Sequence, residues 1–389
     1  MPIDYQQIYT KIQELGKGLR ERRQTLEKRR ADVWELMNAF NLDLDLLNSL
    51  VDSARQADPS VRCARPMDEA LLSAHPKPDT VTQATLIAAD GSQILPDRHA
   101  AIQYYVINVG AIAMQIGSGS SPQIFTETEL HVLDEFEDTI FSESQIALQR
   151  DVAERKKLLE VAQRYPAPIL AITEGQLELW GTADLNNSRD FEKTLGDYLD
   201  ALKDMRDLNI VTSGYVDKPG ANWVVRLLEI TTVPKDELRN IKKHHPFLGV
   251  TDRWLFEKVL GQYERSAIFA LQAKSAEKYT DSIAIHFFYL NVGEKDKPVI
   301  VRVDIPLWVV ENKEALDMLH CALIEQTQIM SHKPFPYILH RAHETAVVSM
   351  REKEQVDQLL ALAIRNNGGE MGEISGKQSA KNLPGRTRW

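Results

Sequence analysis

The stretch that most narrows the choice of fold runs from Thr85 to Val109, because a short, wholly apolar run meets turn-forming and charged residues at once. Leu86 to Ala89 carry no polar side chain, as expected of a strand buried on both faces, and Asp90-Gly91 is expected to end it. That placement puts the Asp90 carboxylate at the rim of a core. Gly91 permits a bend or the close approach of a ligand, and Ser92 adds a hydroxyl, a combination suited to a cation or a phosphate-bearing substrate. An Asp-Gly pair is also ordinary strand-to-turn chemistry, so the order of the surrounding elements has to decide.

Two further strands are expected over 102–116 and 123–132, joined by Gly117-Ser-Gly-Ser-Ser-Pro122. This linker lacks the Lys-Ser/Thr of a phosphate loop and precedes a strand pattern rather than a helix, which makes it a hairpin turn. The acidic residues Asp134, Glu135, Glu137 and Asp138 lead into a helix over 142–164, with Ile146, Val152, Leu158, Leu159 and Val161 among its apolar positions and most of its charges expected to face water. Arg150 and Glu154 share one helix face, where a surface ion pair is the ordinary outcome. Pro166 and Pro168 then close the helix, and a strand from Ile169 to Thr173 ends in Glu174-Gly175. A strand end delivering a carboxylate before a glycine therefore occurs twice, with a helix bearing Glu154 between.

Before this region, residues 5–55 read as helical, with Ile12, Leu19, Leu26 and Val33 seven apart and Ile8 and Leu15 completing half of a seam. Arg22 and Arg29 break the seam within a basic segment from Arg20 to Arg30, which reads as a solvated face, or else as an arm for a partner or second copy. After it, strands are expected over 282–292 and 299–310 around a loop at 293–298, with Arg302 and Asp304 as structural partners on one face. Helices follow over 313–329 and 338–362, the second carrying His343. His244-His245-Pro246 reads as a loop rather than a metal site, because adjacent side chains diverge.

The 389 residues, 43% hydrophobic and 26% charged, suit a folded soluble protein of one large or two ordinary domains. Two scattered cysteines, Cys63 and Cys321, form neither a disulfide framework nor a zinc site, and no stretch approaches the length of a membrane span; a cytoplasmic setting is expected. A net charge of −10 argues against coating nucleic acid by bulk electrostatics, but is compatible with an enzyme that has a local basic channel or a partner that delivers its substrate.

The motifs taken together resemble the NurA nucleases, 5′-to-3′ DNA nucleases that work with the hexameric HerA ATPase in DNA end processing. They are Ala89-Asp-Gly-Ser-Gln-Ile-Leu-Pro-Asp-Arg-His99, Arg150-Asp-Val-Ala-Glu154, Ala171-Ile-Thr-Glu-Gly-Gln-Leu-Glu-Leu-Trp180, Gly214-Tyr-Val-Asp-Lys-Pro219, His286-Phe-Phe-Tyr-Leu-Asn291, Arg302-Val-Asp-Ile-Pro306 and Phe335-Pro-Tyr-Ile-Leu-His-Arg-Ala-His-Glu344. The resemblance implies an α/β fold with a ribonuclease H-like mixed sheet flanked by helices, an N-terminal helical arm (1–80), a nuclease domain (81–362) and a flexible C-terminal tail (363–389). It implies that Asp90, Glu154, Glu174 and His343 surround two Mn²⁺ or Mg²⁺ ions, with Tyr337 as a further catalytic residue. The implied partners are DNA, a HerA-type ATPase and a second copy of the chain, without a membrane. Where the family usually has Asp-Gly-Ser/Thr-Leu, this chain has Glu174-Gly175-Gln176-Leu177, one methylene longer at the carboxylate. A non-catalytic subunit that docks on the ATPase is the alternative.

Overall fold

Ala84 to Ala89 are all buried, and the strand they begin, β1 (Ala84–Ile94), is flanked on both sides in the computed structural model. Described in it are residues 4–79, 81, 83–97, 102–133, 142–181, 189–330 and 333–366. Antiparallel to β1 runs β2 (Tyr104–Ile116), and antiparallel to β2 runs β3 (Gln123–Val132), the turn between them falling at the Gly/Ser linker. On its other side β1 pairs in parallel with β4 (Ile169–Glu174). Between β3 and β4 lies α1 (Glu143–Ala162), opened by a capping box: the Ser142 hydroxyl accepts the Gln145 N–H, and the Gln145 side chain accepts the Ser142 N–H.

After β4 come α2 (Arg189–Asp207) and β5 (Val211–Val216), which neighbours β4. Two C-terminal helices, α3 (Tyr337–Ala346) and α4 (Met350–Asn366), complete the described chain. Three antiparallel strands, a helix and a fourth strand parallel to the first make a ribonuclease H-like mixed sheet flanked by helices.

By its contacts the chain divides into two compact units, and all the candidate site residues belong to the one formed by residues 81–174, 178–213 and 335 onward. In that unit α1 packs on β1, β2 and β4, while α3 packs on β1 and β2. The other unit takes residues up to 80, 175–177 and 214–334. Antiparallel pairing there links Cys63–Pro66, Phe269–Gln272, Ile285–Asn291 and Ile300–Pro306 in that order, and Arg302 to Asp304 then meet Gly214 to Val216. Phe256, Phe269, Phe287 and Tyr289 are buried in mutual ring contact. Buried Asp252 accepts the backbone N–H groups of Val224 and Val225 at the start of helix Trp223–Thr231, together with the Tyr289 hydroxyl. Burial outweighs these bonds and lifts its carboxyl to about 6.

Arg302 and Asp304 are the buried structural pair expected, with Nε to Oδ1 at 2.6 Å, and His244 and His245 bond to Thr232 and the Lys242 carbonyl. Several expectations are corrected. The strand does not end at Asp90-Gly91 but continues to Ile94, because β2 pairs with it past that point, Asp90 opposite Gly110. The N-terminal region, by contrast, is helical as expected, in three helices, Tyr5–Lys17, Leu19–Ala39 and Leu44–Ala57, with Ile8, Ile12, Leu15 and Leu19 exposed. The strand expected over 299–310 stops at Pro306, and Leu307–Val310 is a short helix. The helix expected over 338–362 is broken between α3 and α4, where Ser349 and Glu352 form a second reciprocal cap. Asp134, Glu135, Glu137, Asp138, Arg98, His99 and the chain from 367 lie outside the described residues.

Candidate active site

Successive residues of a strand point to opposite faces, so Asp90, Gly91 and Ser92 address different neighbours. Asp90 turns toward α3, where its Oδ2 lies 2.7 Å from His343 Nδ1 while Oδ1 accepts the Gly91 N–H. Ser92, on the same face, donates to the carbonyl of Ala346 at the end of α3, and Asn108, paired with Ser92 across the sheet, donates to it at 2.7 Å. Gly110, opposite Asp90, completes the seat. A Cβ there would stand 2.6 Å from the Ala346 nitrogen, so only glycine lets the helix end rest on the strand.

Gly91 faces α1 instead. A Cβ at this position would stand 2.5 Å from Arg150 Cγ and 2.7 Å from Glu154 Oε1. The missing side chain thus leaves a notch on this face of the strand, and the Glu154 carboxyl packs into it at the residue next to Asp90. Glu154 is not on the surface as its pairing with Arg150 led us to expect; it is 7% exposed, with Arg150 Nε 3.3 Å from its Oε1. Burial first, and then the charges of Asp151 and Asp90, hold the Glu154 carboxyl well above the usual carboxylate range, against the opposing pull of Arg150 and Arg155.

Glu174 is the exposed last residue of β4. The last parallel pair of β1 and β4 is Ala89 with Thr173, so Asp90 and Glu174 are the next residue on each strand. Neighbouring strands run about 4.8 Å apart, and two carboxylates therefore leave the sheet side by side at the carboxyl end of the parallel pair. Tyr337 opens α3 six residues before His343, which puts it about 120° round the helix and about 9 Å along it. The structure thus gathers Asp90 with His343 and Glu154 with Gly91, sets Glu174 on the adjacent strand end, and leaves Tyr337 on a different helix face from His343.

Arg155 is a residue that the sequence reading missed. It is 1% exposed and donates to Thr212 Oγ1 at 2.7 Å, Thr173 Oγ1 at 2.9 Å and the Tyr198 hydroxyl at 3.2 Å, so one guanidinium ties α1 to β5, β4 and α2. It fixes the strand end carrying Glu174 and the helix turn carrying Glu154. A signal was present: Arg155 stands three residues after Val152 and three before Leu158, on the apolar stripe itself. Lys157 is buried too, so the charged side chains of this helix that do not face water are Glu154, Arg155 and Lys157.

Asp90, Glu154 and Glu174 offer only hard oxygen donors, the set that suits Mg²⁺ or Mn²⁺. The Gly91 notch and the crowding of Glu154 by like charges fit a cation between these groups. Among the described residues no three His, Cys, Asp or Glu side chains already stand in coordinating array, since Glu154 is turned onto Arg150 and Asp90 onto His343.

Comparison with solved structures gives the catalytic domain of human endonuclease V at 13% identity, covering 82% of this chain and 98% of that one with a TM-score of 0.34. It also gives Drosophila Piwi at 11% identity, covering 67% of this chain and 29% of that one with a TM-score of 0.29. No curated protein matches the chain. The NurA domain matches residues 84–348, from the first residue of β1 to just beyond α3, and takes in every residue of the site described above. The chain belongs to the NurA family.

Proposed function

We propose that this protein is a metal-dependent deoxyribonuclease that processes DNA ends, with Asp90, Glu154 and Glu174 holding Mn²⁺ or Mg²⁺ and His343 beside them. The observation that carries the reading is the packing of the buried Glu154 carboxyl into the space left by the missing side chain of Gly91, the residue next to Asp90 in the strand. A structural glutamate has no need of that approach, since burial and two like charges make it costly. A divalent ion bound there would supply an activated water and charge neutralisation at a phosphodiester.

The residues of the chain do the rest. Asp90 orients the His343 ring, and with Nδ1 donating to its carboxylate the neutral imidazole keeps its lone pair on Nε2. At 57% exposure the ring can meet a phosphate, accept a proton from water through Nε2, or, once protonated, donate one to a leaving oxygen. Arg155 holds Thr173, and through it the strand end that presents Glu174. Tyr337 is a secondary candidate, acting on the substrate from the start of α3.

A hexameric HerA-type ATPase that feeds DNA to the site, and a second copy of the chain, suit both the family and a net charge of −10, which gives little attraction for bare DNA. The other reading is a subunit that docks on the ATPase without cutting; Glu174, standing where the family usually has Asp, is the observation in its favour. Degradation of end-labelled duplex and single-stranded DNA in Mn²⁺, with and without the partner ATPase and ATP, separates the two. The nuclease reading expects wild type to cut and Asp90→Asn to lose at least about 100-fold. A silent wild type beside an active Glu174→Asp supports the docking subunit, and silence in both ends the nuclease reading.

A further inference from the structure

Glu154 stands between two guanidinium groups that are held very differently. Arg155 is buried at 1% exposure and makes three side-chain hydrogen bonds to three elements. Arg150 has a side chain 30% exposed and one in-line hydrogen bond, from its guanidinium Nη2 to Asp151 Oδ1 at 2.8 Å. Its Nε lies 3.3 Å from Glu154 Oε1, yet is not aligned to bond with it. Its stem lies over Gly91, in the notch between Glu154 and the strand that bears Asp90. The fixed arginine is part of the scaffold; the loosely held one sits where three acidic side chains, Asp90, Asp151 and Glu154, act on it together.

We infer that Arg150 is a stand-in for the divalent ion: it neutralises the acidic side chains while the ion is absent, and it is released toward a DNA phosphate when the ion enters. The inference rests on the metal-nuclease reading above and adds to it a positioning residue that couples ion binding to DNA binding. An ion held by Asp90 and Glu154 would bring a second positive charge beside the guanidinium, whose Nε lies 3.3 Å from Glu154 Oε1. Once displaced, the guanidinium has a flexible stem and an exposed side on which to swing, and its planar fork matches two phosphate oxygens. Because coupling of this kind is reciprocal, ion and DNA each strengthen the binding of the other through Arg150.

The test titrates Mn²⁺ alone into the full chain by calorimetry, with wild type, Arg150→Met, Arg150→Lys and Glu154→Gln. The Met variant keeps a stem over Gly91 without the charge, and the Lys variant keeps the charge. The expected result is Mn²⁺ binding about tenfold tighter in Arg150→Met, unchanged within about twofold in Arg150→Lys, and lost in Glu154→Gln. DNA affinity, read by fluorescence anisotropy with Ca²⁺ replacing Mn²⁺ so that the DNA stays intact, should rise on adding the ion in wild type and not in Arg150→Met. If Arg150→Met binds Mn²⁺ no better than wild type does, Arg150 is not a stand-in, while the nuclease reading survives. If neither protein binds Mn²⁺, the metal reading itself fails and takes this inference with it.

Discussion

At the scale of single residues, the site turns on three consecutive positions with three tasks. Asp90 takes the histidine, Gly91 admits the helix glutamate, and Ser92 ties down the end of α3. Gly91 is the most sensitive of them. A methyl group there would have to displace Arg150 and Glu154, both closer than 3 Å to where it would stand. We expect Gly91→Ala to keep the fold, with a loss of melting temperature of a few degrees, and to lower cleavage about 100-fold, the usual effect of shifting a reacting group by an ångström. Unimpaired cleavage would show that Glu154 does not work through the notch. The sequence made Asp90 and Glu154 legible as residue types in a meaningful order. It did not make the depth of Glu154 legible, because its spacing from Arg150 is also that of a surface ion pair and only the missing Cβ of Gly91 tells the two apart.

At the scale of elements, the location of His343 depends on how α3 ends. Its final carbonyl, on Ala346, is shared by Ser92 and Asn108, and Gly110 makes room for the helix to lie on β2. Removing the buried Asn108 amide should loosen that end without touching the chemistry. For Asn108→Ala we expect a loss of about 1 kcal/mol in stability and faster amide hydrogen exchange in α3 than in wild type, with β1 and β2 still protected. Equal exchange in α3 would mean that other contacts hold it. The strand–strand–strand–helix–strand order was readable because each element is bounded by Gly, Pro or a cap. The break between α3 and α4 was readable in principle from Ser349 and Glu352, three apart, but apolar spacing continues across it and hid it. The end of β1 was misplaced because Asp-Gly favours a turn locally, whereas pairing with a 13-residue partner strand overrides it.

At the scale of the whole molecule, net charge comes first. A net charge of −10 gives little long-range attraction for DNA, so under the function proposed above the site would gain affinity from bound ions and from a partner that brings the strand in. The grouping of residues up to 80 with 214–334 was not legible in the sequence, since it depends on strand pairs such as Cys63 with Gln272 that are more than 200 residues apart. The central claim is that Asp90, Glu154 and Glu174 form one divalent-metal site, and the most direct measurement is anomalous diffraction from crystals of the full chain soaked in Mn²⁺. The expected result is an anomalous peak within about 2.0–2.3 Å of carboxylate oxygens of all three residues, with the Arg150 guanidinium moved off Glu154. A peak elsewhere, or none at a Mn²⁺ concentration that supports cleavage, would contradict it.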